Sequence, residues 1–403
     1  MELSNICNYT TKRIDSSTLS KDNYISTENM MQNKGGIVPA TKVPDEKVVE
    51  FCPGDILLSN IRPYFKKIWY ADKAGGCSSD VLCIRAKERT DSTFLYYLLS
   101  QDSFFDYVMS GAKGSKMPRG DKAQIMKWDV DVPDIEEQKR IGLFLKTIDD
   151  KIELNNRINH NLEEQAQTLY KTWFIDFEPF KDGRFVESEM GLIPEGWHVG
   201  NLSELVSDTY NGDWGKDSMQ ASYNKKVYCI RGADIPSIKV GDSGKMPIRF
   251  IQEKHFQAKF LKDDDLVIEI SGGSPTQSTG RFCRITDALI NRYEDSLICT
   301  NFCKAIRPIN GFSLFLSYLW DDLYNRGVMF SYENGTTGIK NLDLTGLLEN
   351  EPVIIPDRLS IQGFTKAVSS FNQQILLNGF ESEKLATQRD ILIPKLMSGD
   401  LTC

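Results

Sequence analysis

The chain has 403 residues, enough for two or three domains, with 40% hydrophobic and 26% charged residues and a net charge of -8. No apolar run approaches ~20 residues, and Met1-Glu2-Leu3-Ser4-Asn5 lacks a basic region followed by an apolar core. No transmembrane helix and no secretory signal are therefore expected, and a cytoplasmic protein is predicted. The nine cysteines are odd in number and include no Cys-x-x-Cys, which predicts reduced thiols. His160, His198 and His255 are the only histidines and lie far apart, so no metal site is expected.

Residues 1–133 read as short strands and a few helices, a first globular module. Val48–Phe51 and Asp55–Ser59 are strand-like and separated by Pro53-Gly54. Lys67–Tyr70 and Val81–Ile84 follow. Phe94–Leu99 reads as a helix continuing towards Val108, and Gly111–Lys122 as a polar loop. Val130, Val132 and Pro133 are expected to form a last strand.

A long helix then occupies 134–180. Asp134 is placed to cap it, with Glu137 three residues on. Pro133-Asp134 and Glu137-Gln138-Lys139 spell the letters of a metal nuclease, but within one helical turn the carboxylates cannot converge, so capping is the better reading. Ile141, Leu145, Ile148, Ile152, Leu162 and Leu169 form a seam with steps of four and three, continued by Asn155 and Asn159. From Ile141 to Trp173 such a helix is about 50 Å long, too long to pack inside one ordinary domain.

A second module is expected over 181–355 and a second long helix over 356–403. Phe364, Val368, Phe371, Ile375, Asn378, Leu385 and Leu392 repeat the first seam 223 residues on, after Pro356-Asp357. Two copies of one helix predict an antiparallel coiled coil with Asn155 and Asn378 near its middle. Within the second module, Asp265–Ile268 corresponds to Asp55–Leu58, and Ser296–Cys299 resembles Asp80–Cys83. Phe315–Trp320 matches Phe94–Leu99 at an offset of 221, which sets Gly335-Thr336-Thr337 on Gly114-Ser115-Lys116. The fold class is therefore α+β (mixed): two tandem α/β modules separated by two long helices, related by a pseudo-two-fold. The helical segments 134–180 and 351–403 carry net charges of -4 and -1, so the modules are near neutral and their cations can cluster on one face.

This arrangement resembles the specificity (S) subunit of Type I restriction–modification enzymes. The resemblance is carried by the module–helix–module–helix order, by Trp173-Phe174-x-Asp176-Phe177 and by Ile193-Pro194-Glu195-Gly196-Trp197. The Gly114-Ser115 and Gly335-Thr336 loops, Pro356 and Leu392–Gly399 add to it. It implies two target-recognition domains, each reading half of a bipartite DNA site. The helices would act as spacer and as docking surface for two methyltransferase (M) subunits, with restriction (R) subunits able to join. It also implies that S-adenosylmethionine, ATP and Mg belong to partner subunits and that this chain needs no cofactor.

Beside that resemblance, two loops of each module carry suitable chemistry. Lys113, Ser115, Lys116, Arg119 and Lys122 combine cations, a hydroxyl and permissive glycines, as a phosphate contact needs. Arg62, Tyr64 and Lys66 follow the Asp55–Ser59 strand, and Arg can read guanine. Ser271, Gln277, Ser278 and Arg281 hold the equivalent position in the second module, and Thr336, Thr337, Lys340 and Asn341 match the loop before its helix. Either loop could simply be solvated. The Gly-rich 271–281 stretch lacks the Gly-Lys-Ser/Thr of a nucleotide loop. No Asn/Asp-Pro-Pro-aromatic methyltransferase motif occurs, so no catalytic residues are expected. The expected function is a non-catalytic DNA-specificity subunit. The alternative is a protein-interaction scaffold whose two modules are spaced by a coiled coil.

Overall fold

A computed structural model describes residues 1–274, 276–294, 296–335 and 339–402. The chain forms two compact units, Met1–Ile152 with Lys384–Cys403, and Glu153–Glu383.

The first unit is built on the strand Ile56–Ser59, in an antiparallel sheet ordered Cys7–Tyr9, Val81–Ala86, Ile56–Ser59, Ile68–Tyr70. Its side chains alternate between two cores, as the period of a strand requires. Ile56 and Leu58 join the helical side, with Phe94, Leu98, Phe104 and Ile125. Leu57 faces the other way, towards Phe51, Cys77 and Cys83. A strand apolar from Ile56 to Leu58 is thereby buried on both faces. The second sheet runs Arg13–Asp15, Lys47–Phe51, Gly75–Cys77, Tyr24–Ile25, the last pair parallel.

The second unit repeats this plan. Its antiparallel sheet is ordered Val206–Asn211, Cys303–Pro308, Leu266–Glu269, Phe282–Arg284. Leu266 and Ile268 face one core while Val267 faces another. The expected match of Asp265–Ile268 to Asp55–Leu58 therefore holds. The match of Ser296–Cys299 to Asp80–Cys83 does not. The strand paired with Leu266–Glu269 is Cys303–Pro308, and Leu297–Cys299 lies in another sheet, parallel to Lys225–Ile230. The two strands are close in sequence and similar in composition, and only pairing register separates them.

The correct register reveals an arginine paired with a buried aspartate, common to both units. Arg85 donates to Asp55 from Nε at 2.7 Å and from Nη2 at 2.6 Å. Arg307 donates to Asp265 at 2.9 and 3.0 Å. Each aspartate also accepts a backbone N–H from three residues earlier, Cys52 at 2.7 Å and Lys262 at 2.8 Å.

Two further expectations are corrected. The helix from Phe94 does not continue to Val108. It is broken into Ser92–Leu99 and Asp102–Ser110, and Ser100 Oγ donates back to the Tyr96 carbonyl at 2.7 Å. Val130–Pro133 is not a strand. Val130 N donates to the Met1 carbonyl, an isolated bridge joins Glu2 and Asp129, and Pro133 has no N–H to extend it. The counterpart in the second unit, Pro352–Ile355, does pair, with His198–Asn201.

The long helices are Ile135–Phe174 and Arg358–Met397, of 40 residues each. Asp134 caps the first by accepting from Glu136 N and Glu137 N, and Asp357 caps the second through Leu359 N and Ser360 N. Glu137 ion-pairs with Arg140. In the first unit Ile141 and Leu145 share a core with Ile393, Leu396 and Met397, and Arg389 donates to Asp149 at 2.5 Å. In the second unit Asn378 Nδ2 donates to Asn159 Oδ1 at 2.8 Å, and Asn159 Nδ2 to the Ile375 carbonyl at 3.0 Å. Asn155 Nδ2 reaches the Asn378 carbonyl at 3.4 Å. Further on, Tyr170 and Phe174 enclose Phe364. Within each unit, later positions on one helix meet earlier ones on the other, so the pairing is antiparallel. Ile141, Leu145, Asn155, Phe364, Val368, Ile375 and Asn378 are buried, and Ile148, Ile152, Leu162, Leu169, Phe371, Leu385 and Leu392 half-buried. Buried amides in an apolar seam fix its register.

Candidate nucleic-acid interface

In the first unit the two candidate loops meet. After Ser59 the chain leaves the central strand, and Asn60 N donates to the Asp80 carbonyl at 2.8 Å. Ile61 then bridges Arg119, Arg62 N donates to the Pro118 carbonyl at 2.8 Å, and Gly120 N to the Asn60 carbonyl at 3.1 Å. Gly120 is needed at this crossing, because a Cβ there would stand 2.9 Å from both Asn60 Oδ1 and a Val108 methyl.

Lys113 and Arg119 exchange both backbone hydrogen bonds at 2.9 Å and close a small hairpin. Gly114 turns it at φ +97°, a left-handed conformation that favours glycine. Ser115 and Lys116 are exposed at its tip, and Lys122 is exposed after it. Arg62 and Lys66 both have φ +50° and flank the short turn Pro63–Phe65. Tyr64 presents a half-exposed ring beside Phe65, 4.6 Å away.

Acids hold several of these cations in place. Asp80 lies 3.2 Å from Arg119, Asp121 2.9 Å from Lys113 and Asp102 2.9 Å from Lys66. The Lys113 ammonium holds the Asp121 carboxyl below the usual carboxylate range, and Lys66 does the same for Asp102. Lys34, absent from the sequence-based set, joins this face. Lys34 N donates to the Lys66 carbonyl at 2.9 Å, and burial lowers the pKa of its ammonium. Its signal was weak, a lone lysine in Asn33-Lys34-Gly35-Gly36. Asp80 was also missed, although an acid directly before the run Val81–Ile84 could have marked it.

The second unit makes the same crossing as a short sheet. Ser271 and Gly272 pair with Asn341 and Lys340, and Asn341 and Leu342 pair in turn with Asn334 and Glu333. The Ser271 hydroxyl donates to Asn341 Oδ1. Charge is handled differently here. Arg281 is clamped by Glu269 through two bonds of 2.7 Å, and Lys340 is held by Glu333 at 2.7 Å. Ser278 is buried, with its carbonyl accepting from Tyr324 OH. The expectation that Ser278 and Arg281 face a ligand is therefore corrected: one is inside and the other is tied to a buried carboxylate. Gln277 and Asn341 remain exposed. Thr336 and Thr337 lie outside the described residues. The structural offset here is 222, from Arg119 to Asn341, so the offset of 221 expected from sequence is one short.

Among the described residues no group of His, Cys, Asp and Glu could hold a metal ion, and no helix is long and apolar enough to cross a membrane.

Comparison with known proteins agrees with this architecture. A family model described as "Type I restriction modification DNA specificity domain" matches residues 1–164. The MjaIX specificity subunit of a Type I restriction enzyme from Methanocaldococcus jannaschii is 28% identical, over 78% of this chain and 70% of that one. The HindI specificity subunit from Haemophilus influenzae is 23% identical over 99% and 98%. The crystal structure of the S subunit of a Type I restriction–modification system from M. genitalium superposes with a TM-score of 0.57 at 16% identity, covering 98% and 95%, and shares the fold. Residues 1–164 thus match the Type I specificity domain, and the chain is similar along its length to the specificity subunits of Type I restriction–modification enzymes.

Proposed function

We propose that this chain reads double-stranded DNA for a Type I restriction–modification complex, each unit recognising one half of a bipartite site. The reading is supported most by one observation. In both units the loop after the central strand is bridged to the loop before a long helix, at Ile61 with Arg119 and at Ser271 with Asn341. One backbone device thus presents a variable surface twice. In the first unit that surface carries Arg62, Lys66, Lys113, Lys116, Arg119 and Lys122, with Ser115 and Tyr64, suited to phosphates and base edges. In the second, Ser271, Gln277, Lys340 and Asn341 form the face.

The chain itself is a non-catalytic subunit. Its long helices set the spacer between half-sites and dock two methyltransferase subunits, an assembly that restriction subunits are able to join. S-adenosylmethionine, ATP and Mg serve chemistry in those partners. The domain division that follows is 1–133 and 181–355 for recognition, with 134–180 and 356–403, which hold the helices Ile135–Phe174 and Arg358–Met397, as spacers.

The test is DNA binding by the chain assembled with its methyltransferase subunits across a salt series. Lys116→Ala and Lys122→Ala together should weaken binding. They should also flatten the dependence of log K on log salt, by about one unit for each phosphate left without its cation. Unchanged affinity and slope would place the DNA on another surface.

A further inference from the structure

The two recognition faces share one backbone plan but differ in chemistry at one matched point. Asp80 directly precedes Val81, which pairs with Ser59, and Phe302 directly precedes Cys303, which pairs with Glu269. The Asp80 carbonyl accepts from Asn60 N at 2.8 Å, and the Phe302 carbonyl from Ile270 N at 3.0 Å. One residue further, Ile61 bridges Arg119 and Ser271 pairs with Asn341. Phe302 therefore stands where Asp80 does, and Asn341 where Arg119 does.

In the first unit this pair is ionic, with the Asp80 carboxylate 3.2 Å from the Arg119 guanidinium. In the second it is a phenyl ring, 52% exposed, and a carboxamide whose Oδ1 accepts from the Ser271 hydroxyl. Ile339, 64% exposed, lies one residue before Lys340, and Lys340 sits over the half-exposed Phe330 ring. A single exposed apolar side chain is ordinary on a protein surface. Here several gather on the second copy of a face whose first copy is cationic. The nearby cations Arg281 and Lys340 are neutralised by Glu269 and Glu333.

We propose that Phe302 and Asn341 are specificity-determining residues that read an A·T pair, the ring against the thymine 5-methyl group and the carboxamide against the adenine edge. The matched Arg119, steered by Asp80, reads guanine in the other half-site. The chemistry follows from the major groove. Only thymine presents a methyl there, adenine offers N6 and N7 to a carboxamide, and guanine offers O6 and N7 to a guanidinium. The inference rests on the DNA-reading function proposed above and adds which bases each unit prefers and why.

The experiment uses the complex of this chain with its methyltransferase subunits. Its duplex carries the motif methylated in the host, made with thymine or with uracil in each half-site separately. Uracil lacks only the methyl. Wild type should bind about fourfold more weakly when the contacted half carries uracil, the value of one buried methyl-sized group. Phe302→Ala should bind thymine and uracil DNA equally, whereas Phe302→Leu should keep part of the preference. Asn341→Ala should relax base choice at that same pair, and Arg119→Ala should relax a guanine in the other half with thymine sensitivity intact. A wild type indifferent to uracil, or a Phe302→Ala variant that keeps the full preference, would overturn the inference. A host deleted for this chain that retained the same methylated motif would instead overturn the DNA-reading function itself.

Discussion

Phe364→Ala is expected to destabilise the second unit by about 3–5 kcal/mol, the usual cost of truncating a fully buried phenylalanine. Phe364 is 0% exposed and is enclosed by Tyr170, Trp173, Phe174 and Tyr318, with ring centroids between 5.1 and 6.2 Å away. These partners come from the first long helix and from Ser313–Asn325, so the ring joins the helix pair to the core of its own unit. No small rearrangement refills that space, since each neighbour is itself held in the same cluster. A thermal midpoint lowered by roughly 10 °C is the expected reading for a unit of this size. Phe364→Leu should recover most of it. A loss below about 1 kcal/mol would mean the helix is not seated on this core.

The second large effect is expected at Arg307. Asp265 is 0% exposed, and its carboxylate takes two bonds from Arg307, one from Lys262 N and one from Tyr210 OH. Arg307→Ala removes the cation and leaves a buried carboxylate uncompensated, which costs about 3–5 kcal/mol. Arg307→Lys keeps the charge but not the two-pronged geometry and should recover only part. Amide hydrogen exchange would localise the damage, with protection falling first at Leu266 and Val267, next to the stranded charge. Arg85→Ala should cost less, because the Arg85 side chain is 44% exposed where that of Arg307 is 27%, so water can reach the vacated site in the first unit. Equal losses at the two positions would contradict this account of burial.

Much of the architecture was legible because it rests on periodic signals. The seam from Ile141 to Leu169 and its copy from Phe364 to Leu392 announced two helices, and the shared Asn155 and Asn378 announced their pairing. What stayed hidden depends on register between strands. Leu297–Cys299 and Cys303–Pro308 look equally like the partner of the central strand, and choosing the first concealed the Asp55–Arg85 and Asp265–Arg307 pairs. The basic loop at Gly111–Lys122 was readable from composition, whereas the fate of each charge was not. Arg281 resembles Arg62 in sequence context, but a glutamate two residues past Val267 takes it out of reach of a ligand. Phe302 escaped notice because an isolated aromatic in a turn has no pattern. Its meaning comes only from standing where Asp80 stands.

The central claim is that each unit reads its own half-site. It is tested most directly by the methylated DNA motif in a host whose copy of this chain has residues 188–350 replaced by the matching segment of a relative with a different site. The account predicts that one half of the motif changes to the donor's and that the other half and the spacer stay as they were. A motif changed in both halves, or unchanged in both, would contradict it.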